Sequence, residues 1–347
     1  MGDANQRLPG LQAGRALAAL AVAYFHSNML FDGWPRDSIF AIPGLKEHGY
    51  LGVNFFFAIS GYVIASVCSK ADFSLREFVI KRIFRLYPVY WAVVLLTVLL
   101  KPLGLFLPGG SYKAGYILYS MTLLPQEGRP FYWVTWSLEY EVVFYALAAL
   151  IAPILGLWGL AATLLALVAW AYVNPPDFFS FHLIATINSD FLAGILAYML
   201  RHSVSYVPAP VLICAGLVGY CAAAGLQIPF SGAVAGFFLV SGLVAANWSC
   251  WGRGPLKALV KLGDASYSLY LIHFILLWIP ALIFGHLHIQ PPPGWLAEPL
   301  RYAYLAFSVW VSLLMWTHIE KPMIDLGSRI VRKGQTGAVA QAIPNGL

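Results

Sequence analysis

The sequence predicts an all-α fold, a polytopic membrane bundle of about ten transmembrane helices, taking roughly 20 apolar residues per crossing. Three observations predict it. Of the 347 residues 60% are hydrophobic and 10% are charged, whereas soluble domains carry about 25% charged residues. Mean hydropathy is +0.73. The apolar residues gather into long runs that match the length of a crossing. A chain this apolar cannot cover its surface with polar groups in water, so lipid is its solvent and a soluble multidomain protein is excluded.

The runs fall at 11–31, 49–69, 84–106, 134–155, 157–174, 183–201, 207–226, 230–248, 264–285 and 300–320. The first follows a polar segment, 1–10, and is long enough to span, so it reads as an uncleaved helix and not a signal peptide. The run 114–125 is too short to span and is expected to be re-entrant or interfacial. One transmembrane domain, 11–322, is therefore bracketed by a cytoplasmic N-terminal segment, 1–10, and a cytoplasmic tail, 323–347. The tail is basic and Gly-rich, a composition that predicts disorder. Glu320 and Lys321 close the tenth run and read as a solvated terminus.

Sidedness follows from lysine and arginine. Alternating the runs puts Arg7, Lys70, Arg76, Lys81, Arg82, Arg85, Arg201, Arg253, Lys257, Lys261, Lys321, Arg329, Arg332 and Lys333 on one side. Only Arg36, Lys46, Lys101, Lys113, Arg129 and Arg301 fall on the other. The richer side is expected to be cytoplasmic, and with it both termini. The net charge of +6 reflects this flanking pattern and does not point to nucleic acid. Cys68, Cys214, Cys221 and Cys250 form neither a CxxC pair nor a metal spacing, and no metal is expected.

Charges within a bilayer are costly, so each one marks a candidate site. Arg15 and His26 are eleven positions apart in the first run. At about 100° per residue they share a face to within roughly 20°, and they lie about 16 Å apart along the axis. Ser60 and Gly61 in the second run are small enough for close helix approach, a packing role, or for a ligand. Arg82 and Arg85 share a helix face at the cytoplasmic edge, where they serve as an anchor or as a phosphate clamp. Glu141 lies inside the fourth run and needs a partner; it can orient a histidine or pair with Arg15. Glu139, nearer the outer edge, reads as solvated or as open to the same two roles. His273 is a second intramembrane histidine, and Asp264 reads as the cap of the ninth helix. The chain has no P-loop, HExxH, GxSxG or nucleotide-binding glycine fingerprint, which argues against ATP-driven transport.

Five segments in order resemble acyltransferase family 3, a family of integral membrane acyltransferases. They are Arg15 with His26, Phe55-Phe56-Phe57-Ala58-Ile59-Ser60-Gly61-Tyr62, Lys81-Arg82-Ile83-Phe84-Arg85-Leu86-Tyr87-Pro88, Trp136-Ser137-Leu138 with Glu141 and Phe144-Tyr145, and Ser266 to His273. The resemblance implies about ten core spans and O-acylation of a sugar, a surface polysaccharide or lipid-linked glycan, or a small glycosylated compound. It implies acetyl-CoA or another acyl-CoA as donor, and a place in a bacterial cytoplasmic membrane. Arg15 and His26 match the family's essential arginine and histidine. The expected roles are His26 as general base, with Arg15, Glu141 and His273 in the catalytic group, and Arg82, Arg85, Ser60 and Gly61 holding the donor. Two other classes fit buried Arg, Glu and His less fully: a transporter or flippase of a lipid-linked sugar, and a non-enzymatic scaffold.

Overall fold

The structure, a computed structural model, describes residues 8–29, 41–42, 44–103, 112–174, 182–226, 228–246, 248–286 and 294–342. The N-terminal segment up to Arg7, the last residues 343–347, and Arg36 of the charge count lie outside these. Every regular element among the described residues is helical: α1 (Pro9–Ser27), α2 (Leu45–His48), α3 (Leu51–Cys68), α4 (Leu75–Leu100), α5 (Ala114–Ser120), α6 (Trp136–Val173) and α7 (Asn188–Met199). There follow α8 (Arg201–Val204), α9 (Ala209–Leu226), α10 (Ser231–Ala245), α11 (Gly254–Asp264), α12 (Ser266–His286), α13 (Gly294–Met315) and α14 (Lys321–Ala342).

Local chemistry sets several boundaries. Pro9 opens α1, where its missing N–H costs nothing. Ser74 caps α4 by accepting from the Glu77 amide, in a Ser-x-x-Glu box. α6 is 38 residues long and breaks at Gly156, whose φ of 68° and ψ of −175° suit glycine almost alone. α11 and α12 meet at a 77° bend. Asp264 is the last residue of α11, and α11 lies against α1.

Five stretches are long and apolar enough to cross a membrane: Leu51–Cys68, Leu75–Leu100, Trp133–Val173, Ala209–Leu226 and Trp295–Lys333; the bent pair of α11 and α12 makes six. The ten runs of the sequence are not all reached on this basis. α7 has 12 residues and α10 has 15, and a break divides α6. The run 114–125 contains only the short helix α5. Of the tail expected to be disordered, residues 323–342 are helical, as part of α14. Gly327 lets this helix seat on Phe84 of α4, and an i,i+4 pair, Lys321–Asp325, supports its first turn.

Large apolar side chains lie both inside the bundle and on its outer face, as lipid allows. Leu99, Ile154 and Trp158 project outward, while Phe57, Phe144 and Phe191 stack inside with centroids 4.2–4.5 Å apart. α3 and α7 run parallel in close contact. A Cβ on Gly61 would stand 2.1 Å from the Phe191 carbonyl oxygen, and one on Gly194 1.9 Å from that of Ala58. Small residues are what let the two backbones touch.

Candidate active site

α1 crosses the middle of the bundle and contacts α3, α10, α11, α12 and α13. Its first half borders a cavity of about 210 Å³ lined by Gln12 and Arg15, by Phe56 and Ser60 of α3, by Arg82 and Arg85 of α4, by Glu141 and Tyr145 of α6, and by Ser266, Tyr267 and Tyr270 of α12. Sequence positions far apart thus meet at one point. Arg15 Nε donates to Ser266 Oγ at 3.0 Å. Ser60 Oγ donates to Glu141 Oε1 at 3.0 Å, and the Tyr145 hydroxyl donates to the same oxygen. The Arg82 guanidinium lies over the rings of Tyr145 and Phe78, at 5.3 and 5.6 Å. Its Nε is buried without a hydrogen-bond partner among the described residues. A buried donor without a partner, beside two further arginines, suits an anionic guest.

The second half of α1 carries His26. Its Nδ1 lies 3.0 Å from His273 Nε2, and the two rings stack at 5.2 Å. His273 Nδ1 lies 3.1 Å from the Leu269 carbonyl oxygen. A carbonyl only accepts, so Nδ1 of His273 carries the proton. Neutral His273 then offers Nε2 as an acceptor, and His26 must donate from Nδ1. The chain of bonds leaves the lone pair of His26 on Nε2.

The two histidines are not in the cavity wall. The nearest wall residue in sequence is Tyr270, whose ring centroid is 6.0 Å from that of His273. Tyr270 is held by bonds to Ser137 and the Val134 carbonyl, and Phe56 packs edge-on against it at 6.1 Å. An extended guest in the arginine-lined cavity therefore faces Phe56 and Tyr270 before it reaches the histidines.

A family model described as an acyltransferase domain, Acyl_transf_3, matches residues 8–317. The chain belongs to this acyltransferase family. It is 27% identical to the exopolysaccharide production protein ExoZ of Rhizobium meliloti, over 84% of this chain and 95% of that one. It is also 27% identical to the acyltransferase MdmB of Streptomyces mycarofaciens, over 93% of each. A shorter match, 24% identical, covers 44% of this chain and 22% of the peptidoglycan O-acetyltransferase OatA of Listeria monocytogenes. No solved structure matches the chain. The protein is an O-acyltransferase of this family and is integral to a membrane.

Within this acyltransferase the geometry alters four expectations. Gly61, grouped with Ser60 as a donor contact, faces α7 and is absent from the cavity wall, because its missing side chain is what seats Phe191. Glu141 orients neither histidine. Its hydrogen bonds go to Ser60 and Tyr145 on the arginine side. Glu139 is not solvated: it is buried, accepting from Gln126 at 2.6 Å and pairing with His182 at 2.9 Å. Glu320 is not a solvated terminus either. A π-helical turn, Trp316–Glu320, carries it into the interior, where it accepts from the Ser268 hydroxyl at 2.6 Å and amide at 3.2 Å.

Sequence reasoning missed the roles of other buried polar groups. Glu298 and Arg301 pair at 3.3 Å; Tyr24 donates to Glu298 at 3.1 Å and Arg301 donates to Asn28 at 2.7 Å. This network fastens the end of α1 that carries His26 to α13. Asp190 accepts from Asn54 at 2.7 Å. The sequence did carry a signal for these: each is a charge within or at the edge of an apolar run.

Proposed function

We propose that this acyltransferase moves an acyl group, acetyl in the simplest case, from a cytoplasmic acyl-CoA to a hydroxyl of a carbohydrate acceptor. The observation that carries the reading is the alignment along α1: an arginine-lined cavity at one end, and at the other a histidine pair bonded so that His26 keeps its Nε2 lone pair. The names of ExoZ and OatA, which refer to exopolysaccharide and peptidoglycan, support a carbohydrate acceptor.

Arg82 and Arg85 hold the phosphates of the donor, with Arg15 deeper in the cavity; guanidinium forks match phosphate oxygens. The pantetheine arm, roughly 15–20 Å when extended at the reach of a few residues of chain, spans the distance to His26. His26 Nε2 takes the proton of the acceptor hydroxyl. The freed oxygen bonds to the thioester carbonyl carbon, the C–S bond breaks, and the sulfur leaves as thiolate. The imidazolium returns the proton to sulfur, so ester and CoA thiol are the products. His273 positions His26 and accepts from its Nδ1. With the ten crossings read from the sequence, α6 taken twice across Gly156, this reading has both termini in the cytoplasm and the arginines on the side where acyl-CoA is found, in keeping with the lysine and arginine asymmetry.

Purified wild-type protein with acetyl-CoA and a saccharide acceptor should release CoA only when both are present. His26→Ala should insert normally and lose that release. Substantial turnover by His26→Ala would remove the base from the scheme. A wild type that releases no CoA with any saccharide would leave transport of a lipid-linked sugar as the better reading.

A further inference from the structure

A second pocket, separate from the arginine cavity, lies between α3, α7, the end of α6 and the start of α10. Its volume is about 460 Å³. Asp190 and Asn54 line it, joined by the 2.7 Å bond from Asn54 Nδ2 to Asp190 Oδ2. Thr186 and Ser189 add two hydroxyl side chains, and Tyr172 and Phe230 form an aromatic wall with ring centroids 5.7 Å apart. Asp190 is 2% exposed, whereas Tyr172 is 63% exposed. The polar pair is therefore deep and the rings stand at the mouth. Phe230 has a φ of 62°, the left-handed region that side-chain-bearing residues seldom occupy. Such strain persists where the surrounding structure enforces it, and it gathers at binding sites.

The pocket opens at the end of the bundle where α1 carries His26. α3 runs antiparallel to α1, and Gly49, just before α3, packs on Phe25. From Gly49 to Asn54 is five residues, about 7.5 Å of helical rise. Tyr50, half exposed, sits over this edge and packs against Phe25 at 5.5 Å.

We propose that this pocket is a subsite for the acceptor glycan, binding sugar units beside the one that His26 acylates. The inference rests on the acyl-transfer reading above. The side chains suit a hexose: a carboxylate accepts from ring hydroxyls, an amide and two hydroxyls both donate and accept, and aromatic faces cover the C–H side of the ring. A chain of several sugars seated on Asp190 crosses the start of α3, passes Tyr50, and presents a neighbouring unit at His26.

Gly232 gives the test. A Cβ on it would stand 3.9 Å from Asn54 Nδ2 and 4.0 Å from Asp190 Oδ1, with nothing closer. Gly232→Leu therefore fills the pocket from α10 without a clash at Cβ. The assay uses the full-length protein in detergent, acetyl-CoA, and oligosaccharides cut from base-deacylated surface polysaccharide of the producing cells. CoA release is titrated against each substrate in turn. Gly232→Leu should raise the half-saturating saccharide concentration roughly tenfold or more, the loss of one good contact, and leave the half-saturating acetyl-CoA concentration unchanged. Tyr172→Ala, at the exposed rim, should shift saccharide dependence in the same selective way. If both variants, folded by thermal melt, titrate with saccharide as wild type does, the subsite is refuted while acyl transfer stands. If wild type itself fails to acylate the oligosaccharides, acyl transfer to this acceptor falls, and the subsite with it.

Discussion

Replacing His273 tests the hydrogen-bond chain that sets the tautomer of His26. The His273 side chain is fully buried, and its Nε2 accepts from His26 Nδ1 at 3.0 Å. His273→Leu removes that acceptor. Leaving a buried N–H unpaired costs about 1–3 kcal/mol. His26 can escape the cost by shifting its proton to Nε2, but that occupies the atom needed to take the acceptor's proton. At about 1.36 kcal/mol per tenfold, either route lowers kcat roughly 5- to 150-fold. The donor cavity is on the other side of Tyr270, so the half-saturating acyl-CoA concentration should not move. His273→Gln keeps a side-chain carbonyl that can accept, and it should recover a good part of the rate. The assay is CoA release by purified variants with matched thermal melts. Wild-type turnover by His273→Leu would refute the relay. A folded His273→Gln no better than His273→Leu would refute acceptance as the role of His273.

Three further outcomes are expected. Arg82→Ala should raise the half-saturating acyl-CoA concentration well above its effect on the saccharide, and Arg82→Lys should rescue poorly, because an ammonium lacks the planar fork and stacks less well between Phe78 and Tyr145. In a protein cleared of its four free cysteines, Glu127→Cys should react with an impermeant thiol reagent on intact cells, and Ser74→Cys only after the membrane is opened. Gly194→Ala should cut the yield of folded protein and its melting temperature, since the added carbon meets backbone 1.9 Å away; overpacking of this kind costs about 1–3 kcal/mol. Unchanged yield and melting would mean that α3 and α7 separate more easily than their contact implies.

The helical membrane fold was legible because apolar run length is a direct physical demand of lipid. Run length does not by itself fix the number of crossings, because interior helices such as α7, with 12 residues, escape that demand by being wrapped in protein. The site was legible in part for a similar reason. Arg15 and His26 share a face by helical arithmetic, and Arg82 and Arg85 stand three apart. What each side chain bonds was out of reach. Nothing local distinguishes Glu141, bound by Ser60 and Tyr145, from a carboxylate bound by histidine. Glu139 and Glu320 misled because a charge at the edge of an apolar run looks the same whether it ends in water or turns inward. Their partners, His182 and Ser268, lie more than 40 residues away in sequence. The tautomer of His26 depends on the Leu269 carbonyl, which no side-chain pattern encodes.

The break in α6 bears on which substitutions this chain can tolerate. Space around Gly156 is empty: a Cβ there would meet nothing within 4 Å. By volume alone it is as permissive a position as the described residues offer, and a scale of burial or lipid contact would rank any apolar residue as harmless. Its backbone angles, φ 68° and ψ −175°, say otherwise, because every residue with a side chain is strained in that region by about 1–3 kcal/mol. Relieving the strain would straighten the break, fusing two half-helices into one rod of 38 residues, about 57 Å at 1.5 Å per residue. That is nearly twice the hydrocarbon thickness of a bilayer, about 30 Å. A saturation library at this position should therefore recover glycine alone, while its neighbours Leu155 and Leu157 accept most apolar residues.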